Sequence, residues 1–163
     1  MSVLSHPRRW VGAVLFMALV FGIISSSTLF ASAAGSSLVQ LSIDPYTNST
    51  SQHQTEVEPD SYSNGSTIVD VTQVGRFSDG GASNVGWATS TDNGTTWKSG
   101  FLPGTTVYAT PAGTYDRLSD PTVTYDTAHQ HWIIAALAVS NVNGTAVGVA
   151  VLVSISSDGG LTW

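Results

Sequence analysis

The sequence has 163 residues, of which five are basic, eleven are acidic and none is cysteine. Nucleic-acid binding depends on Lys and Arg that neutralise phosphates, so this charge balance argues against a DNA or RNA partner. Without cysteine, the chain has no disulfide, no thiolate metal site and no thiol nucleophile. Only 10% of the residues are charged, while Ser, Thr, Gly and Asn are abundant. This composition is typical of a turn-rich β protein.

The N-terminus has the layout of a secretory signal. Arg8 and Arg9 precede an uncharged apolar run over 10–24, and the small residues 31–33 (Ala-Ser-Ala) follow. This order predicts a signal peptide over 1–34, cleavage near its end, and a secreted, extracellular protein. The alternative is an uncleaved anchor, because 11–30 approaches the ~20 residues that span a bilayer. The hydroxyl residues 25–28 weaken that alternative, and membrane contact is expected only if the segment stays uncleaved.

The rest of the chain divides into a polar linker over 35–54 and a strand-rich domain over 55–163. Short segments with period-two alternation or continuous apolar runs are separated by Gly, Asn and Asp turns. They predict an all-β sandwich, barrel or propeller. The predicted strands lie at 55–63, 67–77, 84–91, 96–102, 120–126, 131–140 and 145–156.

An internal repeat favours the propeller. The pattern Ser-x-Asp-x-Gly-x-Thr-Trp occurs at 90–97 and again at 156–163, 66 residues later. A second pair of matching dipeptides, Glu58-Pro59 and Asp120-Pro121, runs with it. Two copies with several strands each, at a period of this order, are typical of propeller blades.

The repeated turn is predicted to be structural. An Asp carboxylate can accept backbone N–H and Ser hydroxyl donors, a Gly supplies left-handed backbone, and the Trp ring pins the loop. Local turn chemistry can satisfy the carboxylates of Asp92 and Asp158 completely, which argues against catalysis by either. The predicted structural residues are Ser90, Asp92, Gly94, Thr96, Trp97, Ser156, Asp158, Gly160, Thr162 and Trp163.

The two turns resemble the Asp-box, or BNR, repeats of sialidase-like β-propellers. The wider pattern is similar to secreted, exo-α-sialidase-like BNR-repeat proteins. It comprises Glu-Val-Glu-Pro at 56–59, Arg76 after a strand, Gly-Gly at 80–81 and Arg-Leu-Ser-Asp-Pro at 117–121. The resemblance covers 55–163 and implies a partial propeller of about two four-stranded blades. Because the chain ends on the Trp of its second Asp-box, the second blade is expected to be incomplete and the sequence to be an N-terminal fragment.

The resemblance also suggests where a ligand site would begin. Glu58 and Asp120 would occupy equivalent positions near the propeller axis, and they are the candidate catalytic carboxylates. Arg76 and Arg117 would lie close to them as candidate substrate-binding residues, because sialidases hold the substrate carboxylate with arginines. The alternative is that these arginines tie neighbouring blades together. The Arg-Ile-Pro triplet usual in the first blade of sialidases is absent from this sequence.

Two function hypotheses follow. The first is an exo-glycosidase that acts on terminal sugars of extracellular glycans. The alternative is a non-catalytic propeller that binds glycans or proteins at the cell surface. Neither hypothesis involves a cofactor or a metal. The two histidines His129 and His131 are interpreted as part of a solvated turn, since no third ligand follows them.

Overall fold

The computed structural model describes residues 38–163, and the predicted signal segment lies outside them. From Val39 onward these residues form one compact unit, which is all-β and built on an open antiparallel sheet. Within the described residues, no helical segment could span a bilayer. The strands are β1 Glu56–Asn64, β2 Thr67–Arg76, β3 Ala82–Ser90, β4 Lys98–Phe101, β5 Arg117–Asp126, β6 His131–Val142 and β7 Thr145–Ser156. Each predicted strand is therefore present, with bounds shifted by a few residues.

The seven strands form two antiparallel meanders. In the first meander, β1 pairs with β2, β2 with β3, and β3 with β4. In the second meander, β5 pairs with β6 and β6 with β7. The paired residues Ala82 on β3 and Leu118 on β5 join the two meanders into one sheet path. Since this connection is a single pair, most of the contact between the meanders comes from side chains.

The two meanders have the same strand register. If Ser90 is superposed on Ser156 in the repeated turn, the partners of β3 on β2 superpose on the partners of β7 on β6. Three consecutive pairs on one face are Val69–Thr89, Val71–Trp87 and Gln73–Val85 in the first meander, and Ile133–Ile155, Ala135–Val153 and Leu137–Val151 in the second. The sequence repeat is therefore also a repeat of strand pairing.

A bulge in the first strand of each meander extends the repeat. The register shifts between Val57 and Asp60 on β1, and between Ser119 and Thr122 on β5. The acidic residue of each acidic-Pro dipeptide lies in the bulge with a positive φ, 54° at Glu58 and 49° at Asp120. A non-glycine residue rarely adopts this conformation. These dipeptides, which stand out in the sequence, therefore mark irregularities of the strands.

The core lies between the two meanders. Val69, Val71 and Val85 of the first meander are fully buried and belong to one apolar cluster with Trp132 and Ile134 of the second. Tyr62 on β1 meets the Trp132 ring edge-on, with the ring centroids 6.2 Å apart. Complete burial of a valine or isoleucine side chain contributes about 1.5–3 kcal/mol to the stability of the fold. Packing of one meander against the other is therefore the main stabilising contact.

Residues 38–55, the described residues before β1, form no regular strand and pack against the first meander. The Gln52 amide donates to the Arg76 carbonyl (2.7 Å), and the Ser83 hydroxyl donates to the Asn48 side chain (3.1 Å). The Tyr46 ring meets Phe101 of β4 edge-on, with centroids 5.5 Å apart. Much of the predicted linker is thus in contact with the domain.

The second repeated turn, at 156–163, closes against the first meander through Gly160. The Gly160 carbonyl accepts a hydrogen bond from the Thr89 hydroxyl (2.6 Å). A Cβ at Gly160 would lie 2.8 Å from the Val69 side chain and 3.1 Å from Thr89 Oγ1. Gly159 has the same φ of 83°, but a Cβ there would meet nothing within 4 Å. The two glycines share a backbone conformation and differ in their surroundings.

We expect Gly160→Ala to destabilise the protein more than Gly159→Ala. Both variants carry the cost of positive φ, which is about 1 kcal/mol or more. Gly160→Ala adds overpacking of about 1–3 kcal/mol against Val69 and Thr89. Urea unfolding of both variants measures the difference. Equal free energies of unfolding would contradict the tight contact at Gly160.

Candidate functional site

A polar cleft lies beside Arg117, a candidate substrate-binding residue from the sequence. Its volume is about 360 Å³. The loop that connects β2 to β3 supplies two of its lining residues, and the β4–β5 connection and the β6–β7 hairpin supply others. The lining residues are Thr50, Phe77, Asp79, Tyr108, Asp116, Arg117 and Asn141.

The Arg117 side chain is fixed from two sides. Its Nη1 atom donates to Asp79 Oδ1 (2.6 Å) and to the Gly80 carbonyl (2.9 Å). Its Cζ atom lies 4.1 Å from the centre of the Phe77 ring, a cation–π arrangement. Gly81 makes this approach possible, because a Cβ there would lie 3.1 Å from the Arg117 Cβ atom. Arg117 therefore ties the start of β5 to the β2–β3 loop of the other meander.

The charge of the cleft is divided between Arg117 and two carboxylates. The hydrogen bond from Arg117 holds the pKa of Asp79 below its usual value, so Asp79 stays ionised at neutral pH. The Asp116 carboxylate accepts a hydrogen bond from the backbone amide of Asn141 (2.6 Å). The cleft is thus lined by one nearly buried guanidinium that is paired with Asp79, by a second carboxylate on Asp116 and by the Tyr108 ring. Such a polar set suits a ligand that carries many hydroxyl groups.

The other residues singled out in the sequence lie elsewhere. Arg76 donates from Nη1 to the Gln52 side chain (3.0 Å) in an exposed position. Neither Arg76 nor Arg117 forms an ion pair with Glu58 or Asp120 within residues 38–163. The four residues predicted to begin a site are therefore not joined by direct contacts.

Gln73 connects the two bulges that carry the acidic candidates. This buried side chain on β2 donates from Nε2 to the Glu58 carboxylate, and the same atom lies 3.4 Å from Ser119 Oγ, next to Asp120. The sequence analysis missed Gln73, because a single glutamine within an apolar alternation gives no functional signal. Through Gln73, the bulge of β1 and the bulge of β5 therefore lie next to each other.

A second link between these strands runs through Asp60. One of its carboxylate oxygens accepts both the Thr122 hydroxyl (2.7 Å) and the Val123 amide (2.9 Å). These hydrogen bonds, led by that from Thr122, lower the pKa of Asp60. On β2, burial and the Asp60 charge raise the pKa of Asp70 to about 6. Neither Asp60 nor Asp70 lines the Arg117 cleft.

The aspartates of the two repeated turns accept hydrogen bonds from matching groups. Asp92 accepts from the Ser90 hydroxyl (2.8 Å), the Thr96 amide (2.8 Å) and the Thr96 hydroxyl (2.7 Å). Asp158 accepts from the matching groups of Ser156 and Thr162. Gly94 and Gly160 have φ of 84° and 83°, the conformation expected for them. The carboxylates lie within closed turns, as a structural role requires.

His129 lies in the turn between β5 and β6, and His131 is the first residue of β6. His129 Nδ1 lies 2.6 Å from Asp126 Oδ2. Across residues 38–163, no group of three or more His, Cys, Asp or Glu side chains is placed to hold a metal ion. The structure therefore gives His129 a local partner in its own turn.

No protein-family model matches the chain, and no curated protein shows significant similarity to it. The repeat and the site are therefore interpreted from the residues and contacts of this chain.

Acid should weaken the turn at Asp92. Hydrogen bonds from Thr96 and Ser90 lower the pKa of Asp92 to about 2, against 3.8 for the free side chain. A carboxylate with a depressed pKa contributes stability above pH ~4, and that stability is lost as the pH falls through about 2. We expect Asp92→Asn to lower the melting temperature at pH 6. The difference in melting temperature between Asp92→Asn and the parent protein should become smaller as the pH falls to 2.

Thermal unfolding followed by circular dichroism between pH 2 and pH 6 measures this effect. Asn143→Asp is a control that introduces a carboxylate in an exposed hairpin turn outside the two repeated turns. A difference between Asp92→Asn and the parent that does not depend on pH would contradict the assigned hydrogen bonds.

Proposed function

We propose that the chain is part of an exported, sialidase-like Asp-box β-propeller that binds extracellular glycans at the Arg117 cleft. The two meanders would be blades, the second with three of its four strands in this chain. The register shared by the two meanders supports this interpretation, since blades of a propeller repeat the same strand order. The matching Asp-box turns and the matching bulges support it as well.

The observation that carries the binding proposal is the fixed Arg117 guanidinium in a cleft of about 360 Å³. Arginine, carboxylates and a tyrosine together offer donors, acceptors and a ring face, which is what recognition of a sugar requires. Because Asp79 and Phe77 already hold the guanidinium in place, little conformational entropy is lost at this side chain when a ligand binds. A glycan hydroxyl or carboxylate would contact this guanidinium.

Hydrolysis of glycosidic bonds is the second candidate function. Two carboxylates line the cleft, and most glycosidases use two. One of the pair must protonate the leaving oxygen, which needs a raised pKa. Asp79 has a lowered pKa and is therefore unsuited to that step. The acid of a hydrolase in this cleft would therefore have to be Asp116, whereas binding requires no proton transfer.

We expect Arg117→Lys to reduce the affinity for terminal-sialic-acid oligosaccharides at least ~10-fold, because Lys keeps the charge and loses the planar fork and the stack on Phe77. Titration calorimetry with sialyllactose and with lactose measures the affinity. Asp92→Asn is the control, because Asp92 lies outside the cleft. The affinity of this variant for both sugars should equal that of the parent protein.

Unchanged affinity in Arg117→Lys would contradict the assigned site, and the arginine would then act only as a tie between the meanders. A fluorogenic sialoside assay on the same proteins separates the two functions. Turnover by the parent that is lost in Asp116→Asn would establish the hydrolase and overturn the non-catalytic proposal.

A further inference from the structure

His53 faces a hydrogen-bond acceptor with each of its two ring nitrogens. Its Nδ1 atom lies 3.2 Å from Asp44 Oδ2, and its Nε2 atom lies 2.6 Å from the Asn48 carbonyl oxygen. An ionised carboxylate and a carbonyl can only accept, and a neutral imidazole has a single N–H to donate. Both hydrogen bonds therefore form only with the imidazolium ring, which has two N–H groups. The side chain is 29% exposed, so protons from the solvent reach it.

The Asp44 carboxylate depends on the charge of this ring. Its side chain is fully buried, and its second oxygen, Oδ1, accepts the backbone amide of Tyr46 (3.0 Å). Among the residues that the structure describes, the His53 ring is the one cationic group paired with it. A buried carboxylate that loses its partner is strongly disfavoured, because the protein interior solvates the charge poorly. Protonation of His53 is therefore coupled to the burial of Asp44.

Ser51 completes a Ser-His-Asp order around this ring, but the geometry argues against a nucleophile. Ser51 Oγ lies 3.4 Å from His53 Nε2, farther than the Asn48 carbonyl oxygen. A general base needs an unprotonated nitrogen that faces the hydroxyl, and here Nε2 carries the proton that it donates to Asn48. The Ser51 hydroxyl instead accepts from the side chains of Asn48 (2.9 Å) and Ser83 (3.2 Å). The cluster holds the loop at 44–53 together and is not arranged as a catalytic triad.

The groups in contact with the ring favour its protonated form. The hydrogen bond to the Asn48 carbonyl is the largest cause that raises the pKa of His53 above 6.5, and the Asp44 carboxylate raises it further. Desolvation of the ring acts in the opposite direction and does not outweigh them. A group with a raised pKa stabilises the folded contact fully below pH ~6.5, and this contribution is lost as the pH rises through the raised pKa. The contacts of the ring should therefore be complete in mild acid and weaken toward alkaline pH.

The charged groups of the neighbouring strands do not replace this pair. Glu56, at the start of β1, lines the same cavity as Asp44 and has the same sign of charge. Arg76, at the end of β2, donates to the Gln52 side chain (3.0 Å). Burial raises the pKa of Tyr46 above 10.0, so its hydroxyl stays neutral near pH 7. The change of charge near neutral pH at this place is therefore that of the histidine.

The loop that the ring holds forms one side of the Arg117 cleft. Asn48 donates from Nδ2 to the Thr50 hydroxyl (3.1 Å), and Thr50 Oγ1 lies 3.3 Å from the Tyr108 hydroxyl of the β4–β5 connection. Thr50 and Tyr108 both line the cleft. A chain of contacts thus runs from the His53 ring through Asn48 to two residues of the cleft.

We propose that protonated His53 holds the loop at 44–53 in place and thereby sets the shape of the Arg117 cleft, which loosens when the ring loses its proton. A neutral ring has one N–H for two acceptors, so it releases either the Asn48 carbonyl or the Asp44 carboxylate. This inference names a regulation of the cleft, and that last step rests on the proposed function. The docking of the loop does not depend on what the cleft binds.

The experiment follows the ring, the loop and the cleft of the full chain between pH 5 and pH 8.5. Nuclear magnetic resonance of the His53 ring measures its protonation. The exchange rate of the Gln52 amide, corrected for its intrinsic rate, measures docking of the loop, because this amide donates to the Arg76 carbonyl (2.7 Å). Titration calorimetry with sialyllactose measures the cleft. His129→Gln is the matched control, since His129 also lies beside a carboxylate, 2.6 Å from Asp126, but outside the loop and the cleft.

We expect the protection of the Gln52 amide and the affinity for sialyllactose each to fall at least ~5-fold at the midpoint of the His53 ring, because both depend on the same proton. His53→Gln should abolish both transitions and leave the loop weakly protected at every pH. Asp44→Asn keeps the size of the side chain and removes the charge, so it should move the midpoints of the ring and of the loop to lower pH by the same amount. His129→Gln should leave both transitions unchanged.

A His53 midpoint at or below pH 6.5 would overturn the proposal, as would a Gln52 amide whose protection is independent of pH or changes at another midpoint. A transition that persists in His53→Gln, or that His129→Gln removes, would contradict it as well. If the loop follows the ring and the affinity does not, the control of the cleft is wrong. Unchanged affinity in Arg117→Lys, with a loop that still follows the ring, would contradict the proposed function and leave the docking of the loop standing.

Discussion

The packing of the second meander across one face of the first is the contact on which the rest of this structure depends. Backbone pairing between the two meanders is limited to Ala82 with Leu118. The buried valines of β2 and β3 therefore need the Trp132 and Ile134 side chains to keep them from water. The Arg117 cleft also depends on this packing, because Asp79 and Phe77 belong to one meander and Arg117 to the other.

Polar contacts fix the relative position of the two meanders but contribute less to the stability of the protein than apolar packing does. Thr89 with Gly160 and Asp60 with Thr122 each join the meanders through hydrogen bonds of 2.6 and 2.7 Å. A typical hydrogen bond contributes about 1 kcal/mol net, since water competes for both partners. These bonds are directional, whereas apolar burial is not. Together they define which residues of the two sheets lie opposite each other.

The strands and the repeat could be predicted from the sequence because both depend on local patterns. The alternation of apolar and polar residues at 67–74 predicts β2, and the continuous apolar run at 132–139 predicts β6. The Ser-x-Asp-x-Gly-x-Thr-Trp motif predicts the two turns. The partners of Arg117 could not be predicted, because Asp79 lies 38 residues away and no local pattern marks it. Gln73 was missed for the same reason, since its role depends on two bulges that meet only in the folded sheet.

The measurement that tests the central claim most directly is native-state hydrogen exchange in increasing denaturant, followed at the amides of Val71 and Ile134. If the two meanders depend on one shared core, both amides exchange through the same opening, with one free energy and one dependence on denaturant. If the second meander opens at lower free energy while Val71 stays protected, the meanders are independent, and the shared core is not what holds the structure together.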